Sequence, residues 1–305
     1  TSCAAEPRQA VVITSLGAGA WRVGNGLIEL DVSSAGLLAL RDRDGRDQLS
    51  SSLQLERYRD RGEFWDAWDL AADYRSQPLG VLCTDSLEWL DQGPLVAHVV
   101  LRRQLGASCM RLDLRLKADT PWLELICSID WRQTHELLRL ELPLATPAVR
   151  IAADTSGGVI ERPAAPMTAR EQARWEVPVI SWFASQSAAP GGGMAVLLDG
   201  PQGVDWSSGR LGISLLRGPT WPDPSADQGW HRQRLALMPF AGSWSDAGVS
   251  QAAIAFREHG WCADLPAEQR QWFPSLPLPL TPVGLERHAD GCVLKLLNSG
   301  SARCR

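Results

Sequence analysis

Two short runs hold the residues whose types and spacing could do chemistry. Trp65-Asp66-Ala67-Trp68-Asp69 sets two carboxylates three residues apart among indoles. Ser214-Leu215-Leu216-Arg217-Gly218-Pro219 leads through Trp221-Pro222-Asp223 to Ala226-Asp227-Gln228-Gly229 and His231. Neither run has a helical or strand period, so neither reads as core. Trp faces beside Asp and Arg suit a sugar, which offers apolar C–H faces and a rim of hydroxyls. A carboxylate pair serves glycoside hydrolysis when the two groups lie about 5–9 Å apart across a sugar. Sequence spacing does not set that distance. Asp66 and Asp69 therefore carry two readings, the edge of a binding site and a capped turn packed by Trp65 and Trp68. Arg217 ends an apolar run before a Pro-rich loop. It can reach into a cleft, the favoured reading, or pair with Asp223 or Asp227 to pin its own loop.

Other chemistries find little support. His98, His135, His231, His259 and His288 show no His-x-x-x-His or His-x-His spacing, and no Cys-x-x-Cys pair supplements them. A metal site within this chain is not expected, and His98, in a strand-like apolar run, reads as a satisfied structural residue. There is no Gly-x-Ser-x-Gly elbow and no phosphate loop, and Gly191-Gly192-Gly193 reads as a turn before a strand.

The elements that must position the two runs are strands. Met110, Leu112, Leu114 and Leu116 alternate with Arg111, Asp113, Arg115 and Lys117, which predicts a half-buried strand. Leu123 to Ile129 and Leu138 to Leu144 repeat the pattern, and Ile28, Leu30 and Val32 precede a hairpin return from Gly36. Met194 to Leu198 reads as a buried strand. No convincing amphipathic helix appears, beyond one short turn within 168–175. Many strands with turn signals predict an all-β sandwich. The stretches 58–80 and 160–190 are too long for hairpin loops, and loops of that length are usually functional or pack over a sheet. Pro266, Pro274, Pro277, Pro279 and Pro282 mark a linker over 263–283, and the strand signal at 291–296 then reads as the start of a second β unit.

The 305 residues carry a net charge of −5. No basic stripe argues for nucleic acid, and no apolar run is long enough to span a bilayer. The seven scattered Cys read as free thiols in a reducing compartment. The 14 Trp against 2 Tyr and 5 Phe leave several indoles available for a binding surface.

In order along the chain, Asn25-Gly26-Leu27-Ile28, Trp65-Asp66-Ala67-Trp68-Asp69, Ile129-Asp130-Trp131 with His135, Gly158-Val159-Ile160-Glu161-Arg162-Pro163, Ala173-Arg174-Trp175-Glu176-Val177-Pro178, the run from Ser214 to His231 and Leu285 to Asn298 resemble the C-terminal region of glycoside hydrolase family 38, the α-mannosidases, closest to its cytosolic-type branch. The resemblance implies a large β-supersandwich of galactose-mutarotase-like type over 14–262. An N-terminal tail covers 1–13, and the start of a small β-sandwich covers 284–305. It also implies retaining hydrolysis of terminal α-mannosyl residues in the cytoplasm. The nucleophile, the acid and the zinc would lie on an N-terminal catalytic domain absent from this chain. This chain would then bind no zinc and be inactive alone. Its partners would be that domain and a mannose-containing carbohydrate. Arg217 matches an arginine that the family's β-domain lends to the sugar cleft, and Trp65, Asp66, Trp68 and Asp69 sit where its other contribution is expected. Two departures stand out: Leu197 to Gly203 is shorter than the family pattern and lacks its aromatic, and Ala164-Ala165 replaces polar residues. A stand-alone carbohydrate-binding β-module and an aldose-epimerase-type enzyme are the alternatives. The second requires a His acid and a Glu base in one cleft.

Overall fold

A computed structural model describes residues 6–62, 65–82, 86–188, 191–258, 276 and 280–300. Alternation turns directly into layers. In Glu136–Pro143, Leu138, Leu140 and Leu142 point into the core. Their neighbours Leu137, Arg139 and Glu141 lie on the opposite face, as period two requires.

Nine antiparallel strands form the larger sheet. Their spatial order is Gly158–Pro163, Ala148–Thr155, Trp182–Ser187, Gly193–Asp199, Gly229–Phe240, Leu123–Trp131, Ser108–Lys117, Val96–Leu105 and Ser86–Gln92. Six more form the facing sheet in the order Val177–Pro178, Gly203–Ser207, Arg210–Leu216, Glu136–Pro143, Gln54–Arg59 and Pro78–Val81. Leu112, Leu114, Leu125 and Ile129 of the first meet Leu55, Leu140, Leu142 and Ile213 of the second in one core. A four-stranded meander from Val12–Gly17 to Gly36–Arg41 adds Leu30, Val32, Leu37 and Leu40 to it. This is the all-β sandwich that the alternation predicts.

The reverse face of the larger sheet corrects one expectation. Ala152, Trp182, Ala184 and Leu197 are covered there by the helix Val249–Arg257 through Val249, Ala253 and Phe256. Its apolar positions recur at helical spacing, but it is nine residues long and its N-cap, Gly248, gives no side-chain cap. That leaves little local signal. The other short helix, Ala169–Gln172, falls inside the stretch where one turn was expected, and Thr168 closes a capping box with Glu171.

Val12 and Ile13 of the supposed tail belong to the first strand. Leu280–His288 pairs with Gly291–Asn298 in a hairpin, so residues 280–283 belong to that hairpin rather than to the linker. Pro266, Pro274, Pro277, Pro279 and His259 lie outside the described residues, as do Cys3, Cys83, Cys262 and Cys304.

The outer face of the six-stranded sheet carries paired charged side chains. Arg139 is fully buried there and donates to Glu141 at 3.0 Å, to Glu176 at 3.1 Å and to Asp205. Arg75 and Arg210 share the same two acids, Glu141 and Asp205, and Tyr74 packs over the guanidinium. A buried charge is tolerated when it is paired and hydrogen-bonded in this way. Arg75 and Tyr74 belong to the chain segment that leaves the sheet after Arg59, so this cluster fastens one end of the long 60–77 connection.

Candidate functional site

Strand direction explains why distant residues converge. Gln54–Arg59 and Arg210–Leu216 both pair antiparallel with Glu136–Pro143. They therefore run parallel to each other and end at one edge, where the central strand begins. That geometry brings Asp60, His135 and Arg217 together. Asp60 N–H donates to the His135 carbonyl at 2.8 Å, and His135 N–H donates to the Gly218 carbonyl at 2.7 Å, which extends the ladder past the strands. Gly218 is required there, because a Cβ would collide with the Gln133 carbonyl. His135 takes φ +54° to make the turn.

The Arg217 guanidinium faces inward onto the 65–69 turn. Its Nε donates to the Asp60 carboxylate. Nη1 donates to the Ala67 carbonyl at 3.2 Å, and Nη2 donates to the carbonyls of Asp66 at 2.8 Å and Asp69 at 2.7 Å. Four of its five N–H groups are thus engaged within the protein. The pairings with Asp223 or Asp227 weighed from sequence do not hold the guanidinium. Asp227 accepts the Arg217 main-chain N–H at 3.3 Å, and Asp223 accepts from Ser225.

Asp66 works outward from the same turn. Its Oδ2 accepts the N–H of Thr220 at 2.7 Å and of Trp221 at 3.2 Å, together with the Thr220 hydroxyl. Its Oδ1 lies 3.6 Å from His135 Nδ1. Burial alone would raise the Asp66 carboxyl, but the Thr220 N–H and the neighbouring His135 outweigh it and hold the group below the usual range. Asp60 behaves oppositely. Burial pushes its carboxyl up and Arg217 offsets this only in part.

These ties join the two sequence runs at one surface. Trp65, Trp68 and Trp221 pack against one another with ring centroids 5.4–5.9 Å apart. They remain 54%, 69% and 49% exposed. An open triangle of indoles is an unusual thing to leave in water. All five residues singled out from sequence, Trp65, Asp66, Trp68, Asp69 and Arg217, belong to this assembly. Asp60 and Thr220 escaped sequence reading. Asp60 is an ordinary acid after a strand, and nothing local marks it as the counter-ion of a residue 157 positions away.

The histidines do not assemble an epimerase pair among the described contacts. His135 Nε2 lies 3.2 Å from the Thr220 hydroxyl, and His231 Nε2 donates to the Asp227 carbonyl at 2.8 Å. His98 is tied to Asp113 at 2.6 Å, as a structural residue would be. Among the described residues no group of three His, Cys, Asp or Glu side chains is placed to hold a metal, so these residues do not fit zinc.

The model of the glycosyl hydrolases family 38 C-terminal domain matches residues 23–225. Alpha-mannosidase 2C1 of Homo sapiens is 29% identical over 259 residues, covering 82% of this chain and 24% of that protein. Alpha-mannosidase G of Dictyostelium discoideum is 27% identical over 208 residues, covering 67% of this chain and 19% of that protein. A solved structure of a family 38 glycosyl hydrolase protein from Enterococcus faecalis superposes with a TM-score of 0.72 at 14% identity, over 98% of this chain and 39% of that one, a likeness of fold. The chain spans about a quarter or less of the length of these curated relatives.

Proposed function

Because the chain belongs to glycosyl hydrolase family 38, whose C-terminal domain it carries, we propose that it is the β-rich part of an α-mannosidase that hydrolyses terminal α-mannosyl residues with retention. In this reading the nucleophile, the acid and the zinc belong to an N-terminal domain of the full-length enzyme. The chain's surface of Trp65, Trp68 and Trp221 forms one wall of the mannose cleft. The observation that carries the reading is the open indole triangle, held by Asp60, Arg217 and Asp66 rather than by core packing. Trp65, Trp68 and the Asp69 carboxylate supply contacts to the sugar. Arg217 and Asp66 act as positioning residues, with one guanidinium N–H left for a ligand. The enzyme works in the cytoplasm, as the resemblance to the family's cytosolic-type branch implies. Among the described residues no helix is long and apolar enough to cross a membrane.

The test uses the full-length enzyme. Loss of one indole face against a sugar removes about 1.4 kcal/mol, about a tenfold change in kcat/KM. Trp68→Ala should therefore lower kcat/KM on an aryl α-mannoside by about tenfold at unchanged melting temperature. Unchanged kcat/KM would remove these indoles from the cleft. The 305-residue chain alone should show no turnover above blank.

A further inference from the structure

A second place where arginine meets tryptophan lies between the edges of the two sheets. The hairpin end at Arg162, the segment carrying Arg174 and Trp175, and the strand Gly203–Ser207 with Trp206 enclose a pocket of about 420 Å³. Arg162 stacks over the Trp206 ring, 6.0 Å from its centroid. Its Nε and Nη1 are shut off from solvent, yet among the described residues neither has a hydrogen-bond acceptor. Buried guanidinium groups are normally satisfied.

The carboxylates in the same pocket are all committed elsewhere. Glu171 accepts the main-chain N–H of Met167 at 2.9 Å and of Thr168 at 3.0 Å. Glu161 accepts the Trp244 indole N–H at 2.8 Å. Asp205 is surrounded by Arg75, Arg139 and Arg210. Arg174 likewise forms no ion pair among the described residues. Burial first, and the like charge of Arg174 second, lower the Arg162 pKa, so the two cations share one space, with the Glu171 carboxylate close enough to feel the Arg174 charge. Meanwhile both indole N–H groups are engaged, Trp175 with the Leu70 carbonyl at 2.9 Å and Trp206 with the Pro163 carbonyl at 3.2 Å. Only their faces are left to a ligand.

We infer that this pocket binds a sugar bearing an oxyanion, phosphate or carboxylate, with Arg162 and Arg174 holding the anion and Trp175 and Trp206 flanking the ring. A buried guanidinium without acceptors and an exposed one beside it match the planar, multi-oxygen geometry of phosphate and carboxylate. Indole faces with engaged N–H groups match the apolar C–H face of a pyranose. The volume holds one hexose-sized ligand and not an extended glycan. The inference does not depend on the mannosidase reading.

Calorimetric titration of the 305-residue chain with mannose 6-phosphate, glucuronate, mannose, inorganic phosphate and adenosine monophosphate tests it. At least one anionic sugar should bind at least tenfold more tightly than mannose and than inorganic phosphate, and which one does so identifies the anion. Arg162→Met should lose that affinity by more than tenfold. Its melting temperature should equal or exceed the parent's, because an unsatisfied buried cation has been removed. Arg174→Gln, at an exposed side chain, should lose affinity at least threefold at an unchanged melting temperature. Unchanged affinity in either variant would overturn the assignment, as would equal binding of mannose. Adenosine monophosphate or inorganic phosphate binding as tightly as the sugar anions would overturn its sugar half.

Discussion

Arg217 and Arg162 both lie beside exposed tryptophans, and they do opposite things. Arg217 donates to a carboxylate and three main-chain carbonyls, and the indoles beside it turn outward. Arg162 lies on an indole face with its buried N–H groups unmet among the described residues. The first guanidinium shapes a surface and the second is available to a ligand. What separates them is the number of acceptors already in place, a quantity that no pattern of Arg near Trp can supply. Arg139 marks the limit of the first kind, a fully buried cation answered by three carboxylates.

The largest effect should come from removing Arg217. Arg217→Ala leaves Asp60 buried without its counter-ion and frees three carbonyls, so stability should fall by about 3–5 kcal/mol, read by chemical denaturation. That loss should depend on pH. The Asp60 carboxyl is already raised by burial, and without Arg217 it rises further. A group raised in the folded state supports folding most fully below its unfolded value of about 4. It loses that support as pH rises through the folded value. The gap between parent and variant should therefore be smallest where Asp60 is protonated in both, and widen as pH rises through the parent's folded value. A pH-independent gap would show that the carbonyl contacts, not the Asp60 pair, dominate. Arg217→Lys should recover less than half of the loss, since a point charge cannot reach both Asp60 and three carbonyls.

Asp66→Asn should cost less, about 1–2 kcal/mol, because the amide oxygen can still accept from Thr220 and Trp221 while the charge is lost. Asp66 sits below the usual range, so its contribution is present above about pH 4 and disappears as pH falls through the folded value. Parent and variant should thus converge in acid. Smallest of all, Trp68→Ala should change stability by less than about 0.5 kcal/mol, since the ring is 69% exposed. A larger loss would mean that the indoles brace the turn, and the contrast between gripped backbone and open side chains would fail.

Much of the sandwich was legible because period-two alternation is a local signal. Met110 to Leu116, Leu123 to Ile129 and Leu138 to Leu144 each face the core as the pattern requires. The helix Val249–Arg257 was not legible, because its burial is supplied by Trp182 and Leu197 from strands more than fifty residues earlier. Pro282 reads as a breaker, yet it lies in the strand Leu280–His288 beside a register shift, where a missing N–H is tolerated. At the site, residue types drew attention to the right two runs. Their joining depends on two parallel strands flanking a third, which no spacing encodes. The role of Arg217 depends on Asp60, which nothing in its own neighbourhood announces.

Arg217 holds the 65–69 turn by carbonyl oxygens, and every residue type has one. The side chains on that turn are consequently free to change while its shape stays fixed, with Asp66 as the exception because its carboxylate caps Thr220 and Trp221. Positions 65, 68 and 69 form a cassette on a permanent mount. Such an arrangement lets a lineage, or an engineer, rewrite what the surface recognises one residue at a time without first having to solve the folding problem again.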